Sequence, residues 1–227
     1  MRECRSKNAV FFVLLLPALY LLYGISLALQ FGNNADLINT IANSCLLFLA
    51  TIILTNMARL KNWIDFIWFC VFILYIIILL HLVAYIAVGD FVNSTYTGNF
   101  HIQKEMINLI PFTTIENTFQ QTLPTMPTII QILGNVLLLC PLSFFMLYFK
   151  ITSTAGKTLL VIFLTSCGIE LLQFAQTTMI TGFESISLPP KRSTDIDDII
   201  LNTLSGLIGI LLAYAVPSVR KRINKRR

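Results

Sequence analysis

The sequence predicts an all-α, polytopic membrane fold with six transmembrane helices and both termini cytoplasmic. Three observations predict it. The 227 residues are 56% hydrophobic and 12% charged, where a soluble domain carries roughly 25% charged residues, and the mean hydropathy is +0.77. The apolar residues gather into stretches long enough to cross a bilayer, which takes about 20 residues. Lysine and arginine alternate in density between successive connecting segments. That distribution accounts for the net charge of +5 as topology, with no nucleic-acid partner.

The six stretches run near Ala9–Gln30, Asp36–Ala58, Trp63–Val88, Thr128–Lys150, Lys157–Ile180 and Ile196–Val216. The first follows Arg2, Arg5 and Lys7, and Ser26-Leu27-Ala28 resembles a signal-peptidase site. Its apolar region exceeds the ~7–15 residues of a signal peptide, so it is read as a retained anchor. With the N-terminus inside, 13 of the 16 basic residues are cytoplasmic, and only Lys104, Lys191 and Arg192 are outside. The positive-inside rule selects that orientation. Two sizeable outer segments result, Gly89 to Pro127 and Thr181 to Asp195. Asn93-Ser94-Thr95 matches a glycosylation sequon, which has meaning only in a glycosylating host. Residues 1–106 form a three-span region with the start of the outer loop, 107–216 a three-span core, and 217–227 a basic cytoplasmic tail. The tail reads as an orientation signal with attraction to anionic lipid.

Polar residues fall inside the last three spans, where lipid solvates them poorly. In the sixth, Asp195, Asp198, Asn202, Gly206 and Gly209 follow one another at three, four, four and three residues, one stripe of a 3.6-residue helix. Asp197 lies off that stripe. Ser205 and Gly209 form a small-xxx-small pair that admits a close neighbour. In the fifth span Ser166, Glu170, Gln173 and Thr177 share a stripe, and in the fourth Gln131, Asn135 and Leu138 do so. Pro141 is expected to kink the fourth. At 1.5 Å per residue, Asp195 and Asp198 lie at the outer boundary, Asn135, Gln173 and Asn202 roughly 10 Å below it, and Glu170 about 15 Å below it. The pattern reads as an outward funnel, acidic at the mouth and carboxylic at the base. That separation in depth argues against one ion bound by all three acids. His81 falls at a similar depth and can equally be paired within the bundle.

Each residue also has a purely structural reading. Glu170 can join helices through hydrogen bonds, and Asn135 and Asn202 can be interhelical partners worth ~1 kcal/mol each. Asp195 and Asp198 suit a helix N-terminus in any case. Arg192 is an interfacial anchor or the ion partner of Asp195. The five cysteines, Cys4, Cys45, Cys70, Cys140 and Cys167, show neither disulfide-framework nor zinc spacing and read as small core residues. No metal-ligand set is read, and no cofactor is named. Nucleophile-elbow, zincin and phosphate-loop motifs are absent from the sequence.

Four elements in order resemble the VanZ-like family of bacterial membrane proteins. They are Asn108-Leu109-Ile110-Pro111-Phe112; Gly134-Asn135 followed by Pro141-Leu142, with Ser143 where glycine is usual; the Glu170-x-x-Gln173 helix; and Arg192 with Asp195, Asp198, Asn202, Thr203, Gly206 and Gly209. The resemblance runs from about Ile107 to Leu212, and the second and third spans carry none of it. It implies a bacterial cell-membrane location and a link to resistance to teicoplanin, a glycopeptide with an acyl tail. The first functional reading is an envelope protein that alters access of lipoglycopeptides, binding drug or a surface lipid at the outer face. In the second, an outer-leaflet enzyme acts on a lipid-linked envelope precursor. Glu170 is its general acid or base, and Asp195, Asp198 and Arg192 hold a headgroup or cation. Asn108, Asn135, Gln173, Arg192 and Asn202 are the ligand-binding candidates beside the catalytic candidates Glu170, Asp195 and Asp198. A small transporter ranks third, because no repeat and no polar path to the cytoplasmic side is evident.

Overall fold

The computed structural model describes residues 7–92, 94–120, 126–184 and 192–225. Arg2, Cys4 and Arg5, the sequon's Asn93, Pro189, Pro190 and Lys191, and the final Arg226 and Arg227 lie outside the described residues. Among those described, six helices are long and apolar enough to cross a membrane. The chain divides into two compact units. One comprises Met1–Ile102 with Thr178–Lys191, the other Gln103–Thr177 with Arg192–Arg227.

The first unit contains α1 (Lys7–Phe31), α2 (Asn34–Met57) and α3 (Trp63–Val83). Gly32, at φ +63°, makes the turn between α1 and α2, a conformation that glycine adopts without steric cost. Asn33 then caps α2 by accepting the Ala35 and Asp36 N–H groups. Along α1, Val13, Pro17 and Ala28 are buried while Leu15, Leu19 and Leu22 are exposed. One face therefore packs and the other meets lipid. His81 is exposed and lies 3.4 Å from the Tyr20 hydroxyl, with its ring edge-on to Tyr85, a pairing within this unit.

The third candidate span, Trp63–Phe91, covers the expected Trp63–Val88, but its regular helix α3 ends at Val83. The cause is on α2. Asn43 accepts the Ile86 N–H at 2.9 Å and donates to the Ile86 carbonyl at 2.8 Å. Asn39 accepts the Gly89 N–H at 2.6 Å and donates to the Asp90 carboxylate at 2.7 Å. The two amides thus take over backbone groups that a continuing helix would pair, and the chain turns back through a short 3₁₀ segment, Val88–Phe91. Gly89 lies so close to α2 that a Cβ there would collide with the Ala35 backbone. Further on, β1 (Thr95–Tyr96) pairs antiparallel with β3 (Phe183–Glu184), and Phe91, Tyr96, Phe100 and Phe183 pack ring to ring.

In the second unit β2 (Ile107–Asn108) pairs in parallel with β4 (Thr194–Asp195). The helices are α4 (Thr113–Gln120), α5 (Met126–Leu138), α6 (Cys140–Tyr148), α7 (Ala155–Ile180), α8 (Ile196–Ala215) and α9 (Pro217–Asn224). The fourth span is thus α5 and α6, broken at Leu139. Pro141 falls in the first turn of α6, where its missing N–H is not needed. The Leu139 N–H, lost to the helix ladder, donates instead to the buried Ser205 hydroxyl on α8 at 3.0 Å. One turn further along α8, Gly209 passes so near the break that a Cβ would strike the Cys140 carbonyl and the Ser143 hydroxyl. Ser205 and Gly209 therefore act as the close-packing pair, against α6.

The cysteines are a partial correction. The described ones are free thiols, but Cys45 is exposed on α2, and Cys70, Cys140 and Cys167 are half-buried. Lipid accepts a small apolar thiol at a helix surface as readily as a core does.

Candidate functional site

Asn108 ends β2, and the chain then makes a hairpin tip of Leu109, Ile110, Pro111 and Phe112, all exposed. Phe112 has φ +69°, a strained conformation for a non-glycine residue. The helix that follows, α4, begins with backbone N–H groups that have no intrahelical acceptor, and the residue before it is Phe112, which has no capping oxygen. The acceptor comes from α8. Asp197 takes the N–H of Phe112, that of Thr114 at 2.9 Å and that of Ile115 at 3.3 Å. Its side chain is fully buried.

Asp195 completes the brace. It caps α8 by accepting the Asp197 N–H at 2.8 Å. The same carboxylate accepts from the Asn108 amide at 2.9 Å and from the Thr114 hydroxyl. Asp195 is 4% exposed. Both carboxylates therefore have their acceptor capacity largely filled by the hairpin and by their own helix end, where the helix dipole also favours negative charge.

Glu170 approaches from α7. Its Oε2 accepts the backbone N–H of Asp195 at 2.9 Å, and it is 3% exposed. This corrects the expected depth. Counting from Ile180 places Glu170 well below Asp195, whereas the two are joined by a hydrogen bond. The 26 residues of α7 span about 39 Å, more than a ~30 Å hydrocarbon core needs. The segment leading into α8 also runs back beside α7. There the Thr177 hydroxyl donates to the Arg192 carbonyl at 2.7 Å and accepts the Arg192 N–H at 3.1 Å. So α8 begins level with Glu170, and the argument from depth against a shared site no longer holds. Among the described residues, no group of three or more His, Cys, Asp and Glu side chains could hold a metal ion.

Asp198 is half-buried and accepts from the Asn135 amide on α5, with Gln131 bonding to it as well. One turn further along α8, Asn202 is 2% exposed and its Oδ1 has no partner. On α7, one turn from Glu170 in the same direction, the Ser166 hydroxyl is also buried and unpartnered. Glycine contacts set the antiparallel register, because a Cβ at Gly206 would collide with Ile162. Ile162 lies one turn beyond Ser166, and Gly206 one turn beyond Asn202. Two turns of each helix thus carry a carboxylate, Glu170 or Asp198, followed by a polar group with an empty valence.

The structure brings Asn108, Asn135, Glu170, Asp195 and Asp198 into one hydrogen-bonded neighbourhood. Asn202 continues it along α8, and Gln173 is buried one turn from Glu170. The Arg192 side chain is exposed, and its backbone N–H and carbonyl both bond the Thr177 hydroxyl of α7. Sequence reasoning missed Thr114 and the bracing role of Asp197, and it read Ser205 for packing alone, without the bond its hydroxyl accepts from the Leu139 N–H. Asp197 lies off the polar stripe, yet at the first turn of α8 the hairpin covers the side that is lipid-facing further along. The signal was the apolar residue ahead of Thr113-Thr114, which leaves α4 without a cap of its own.

Six helices long and apolar enough to cross a membrane, with buried polar side chains braced together in the second unit, define an α-helical, multi-pass membrane protein. The family model described as VanZ/LLP1 matches residues 72–217, well over half of the chain, and the chain belongs to that family. The match begins within α3, upstream of the elements that carried the resemblance. Comparisons with curated proteins and with solved structures give no match. The chain is therefore a VanZ-type multi-pass protein of the bacterial membrane, of a family linked to teicoplanin resistance.

Proposed function

We propose that the protein lowers lipoglycopeptide susceptibility by binding a polar headgroup, of the drug or of a lipid-linked envelope precursor, in an outward-facing pocket. Asn135, Glu170, Asp198 and Asn202 form its wall. One observation carries the reading. Asp195 and Asp197 are occupied in holding the hairpin, whereas Asp198 remains half-exposed and Asn202 Oδ1 has an empty valence. Glu170 and Asp198 are then the ligand-facing acids, Asn202 supplies a further acceptor, and Asp195 and Asn108 are positioning residues. A buried acceptor without a partner costs about 1–3 kcal/mol, a cost that a donor-bearing ligand removes. The distribution of basic residues turns the hairpin end of this unit outward. A reporter fused at Gly182 is expected to read outside and one at Ser153 inside.

The test measures teicoplanin susceptibility in cells expressing Glu170→Gln, Asp198→Asn or both, at matched membrane protein levels. Each single change retains volume and hydrogen-bonding capacity while deleting a carboxyl group. The expected result is loss of the protein's effect on susceptibility at normal abundance. An unaltered phenotype in the double mutant overturns the pocket and leaves the cluster as packing.

A further inference from the structure

The opposite end of the second unit carries a cavity that the proposed pocket does not use. It is an open cavity of about 520 Å³ along the end of α8 and α9, with Tyr214 half-buried and its other lining residues exposed. Tyr214, Ala215 and Pro217 line one part, and Arg220, Lys221 and Lys225 another. Such a volume is in the range of small-molecule sites. From Ile199 onward the sequence contains no Asp or Glu side chain to offset the three cations.

A tail that only holds orientation needs charge and no shape. This tail has shape. Pro217 opens α9 at its first turn, where proline is pre-organised. Val219 is 3% exposed and joins Leu147, Ile210 and Ala213 in one apolar cluster, with Ile223 packed against it. The Arg222 guanidinium lies 4.4 Å from the centre of the Tyr148 ring, and the Lys150 ammonium donates to the Lys225 carbonyl. Val219, Arg222 and Ile223 therefore dock one face of α9. Pro217, Arg220, Lys221 and Asn224, at helical spacings of three, one and three, turn the other face to the cavity. A cationic rim beside an aromatic and aliphatic wall matches a molecule that is anionic at one end and apolar at the other.

We infer that this cavity is a binding site for an anionic phospholipid. The phosphodiester sits among Arg220, Lys221 and Lys225, and the first part of an acyl chain lies along Tyr214 and Ala215. Guanidinium and ammonium groups both recognise phosphate oxygens, and basic residues immediately beyond a span attract anionic lipid headgroups. The site is independent of the headgroup pocket proposed above and does not require it.

The full-length protein in mild detergent is mixed with equal phosphatidylglycerol and phosphatidylcholine, and retained lipid is counted by native mass spectrometry. Wild type is expected to retain one phosphatidylglycerol in preference to phosphatidylcholine. The Arg220→Gln, Lys221→Gln, Lys225→Gln triple variant is expected to lose that preference roughly 100-fold, three charges at the usual increment per basic residue. Ala215→Trp keeps every charge and fills the wall, and is expected to lose retention too. Thermal unfolding in phosphatidylcholine confirms that both variants are folded, and Lys221→Glu replaces the triple variant if it is not. Three results each overturn the site: no preference in wild type, undiminished retention in Ala215→Trp, which reports diffuse surface attraction, or displacement by equimolar inorganic phosphate, which reports a free-phosphate site.

Discussion

The two units solve one physical problem with different side chains. Each has a stretch of chain that leaves regular helix near a span and must be held there with its backbone groups paired. The first unit uses neutral amides: Asn39 and Asn43 on α2 grip Ile86, Gly89 and Asp90. The second uses carboxylates: Asp195 and Asp197 at the start of α8 grip Asn108, Phe112, Thr114 and Ile115. An amide donates and accepts, so one Asn43 side chain serves both the N–H and the C=O of Ile86 and brings no charge. A carboxylate only accepts, so it suits a helix start, where several N–H groups point one way. It also concentrates negative charge beside Glu170 and Asp198. The first brace is complete in itself, whereas the second creates the electrostatic setting of the candidate site.

The strongest way to break this comparison is to remove each brace. Asp197→Ala strands three backbone donors, each worth about 1–3 kcal/mol when unmet. Because hydrogen bonds measured within membranes run lower, the expected loss is about 3 kcal/mol, read as lowered resistance to unfolding in detergent and reduced folded yield. Next comes exchange of the chemistry. Asn43→Asp sets a carboxylate against the Ile86 and Asn39 carbonyls and removes the donor to both, with an expected cost of about 2 kcal/mol. A variant as stable as wild type removes the distinction between the braces. Gly209→Val tests packing without polarity, driving a side chain into the Cys140 carbonyl for about 1–3 kcal/mol, seen as lower folded protein. The smallest effect sharpens the comparison most. Ser44 in the first unit and Asn202 in the second are both buried with an unpartnered oxygen. Ser44→Ala and Asn202→Leu are each expected to be neutral or stabilising by up to ~1 kcal/mol. Only the second is expected to lower the teicoplanin phenotype.

Much of the second unit was legible in its sequence because helix period and burial coincide there. Ser166, Glu170, Gln173 and Thr177 share a stripe, and all four are buried. The break at Pro141 follows from a residue without an N–H. Three features escaped. The depth of Glu170 was hidden because α7 outruns the span and nothing in its composition marks where the next helix starts beside it. The Asp197 brace was hidden because its partners are 82 to 85 residues away and involve backbone atoms, which carry no sequence signature. The amides of α2 were overlooked because asparagine in a span has many possible partners, and only the shortened α3 shows which ones Asn39 and Asn43 take.

The distance along the chain between α4 and its cap has a consequence for biogenesis. Thr114 and Asp197 are 83 residues apart, which at roughly 5–20 residues per second is about 4–17 s of synthesis. Throughout that interval the start of α4 has no Asp197 to accept its N–H groups. The fourth and fifth spans are made before the residue that caps α4. The polar neighbourhood therefore assembles last, when the sixth span arrives and closes the hairpin, and a nascent chain halted before that point has its helices without its site.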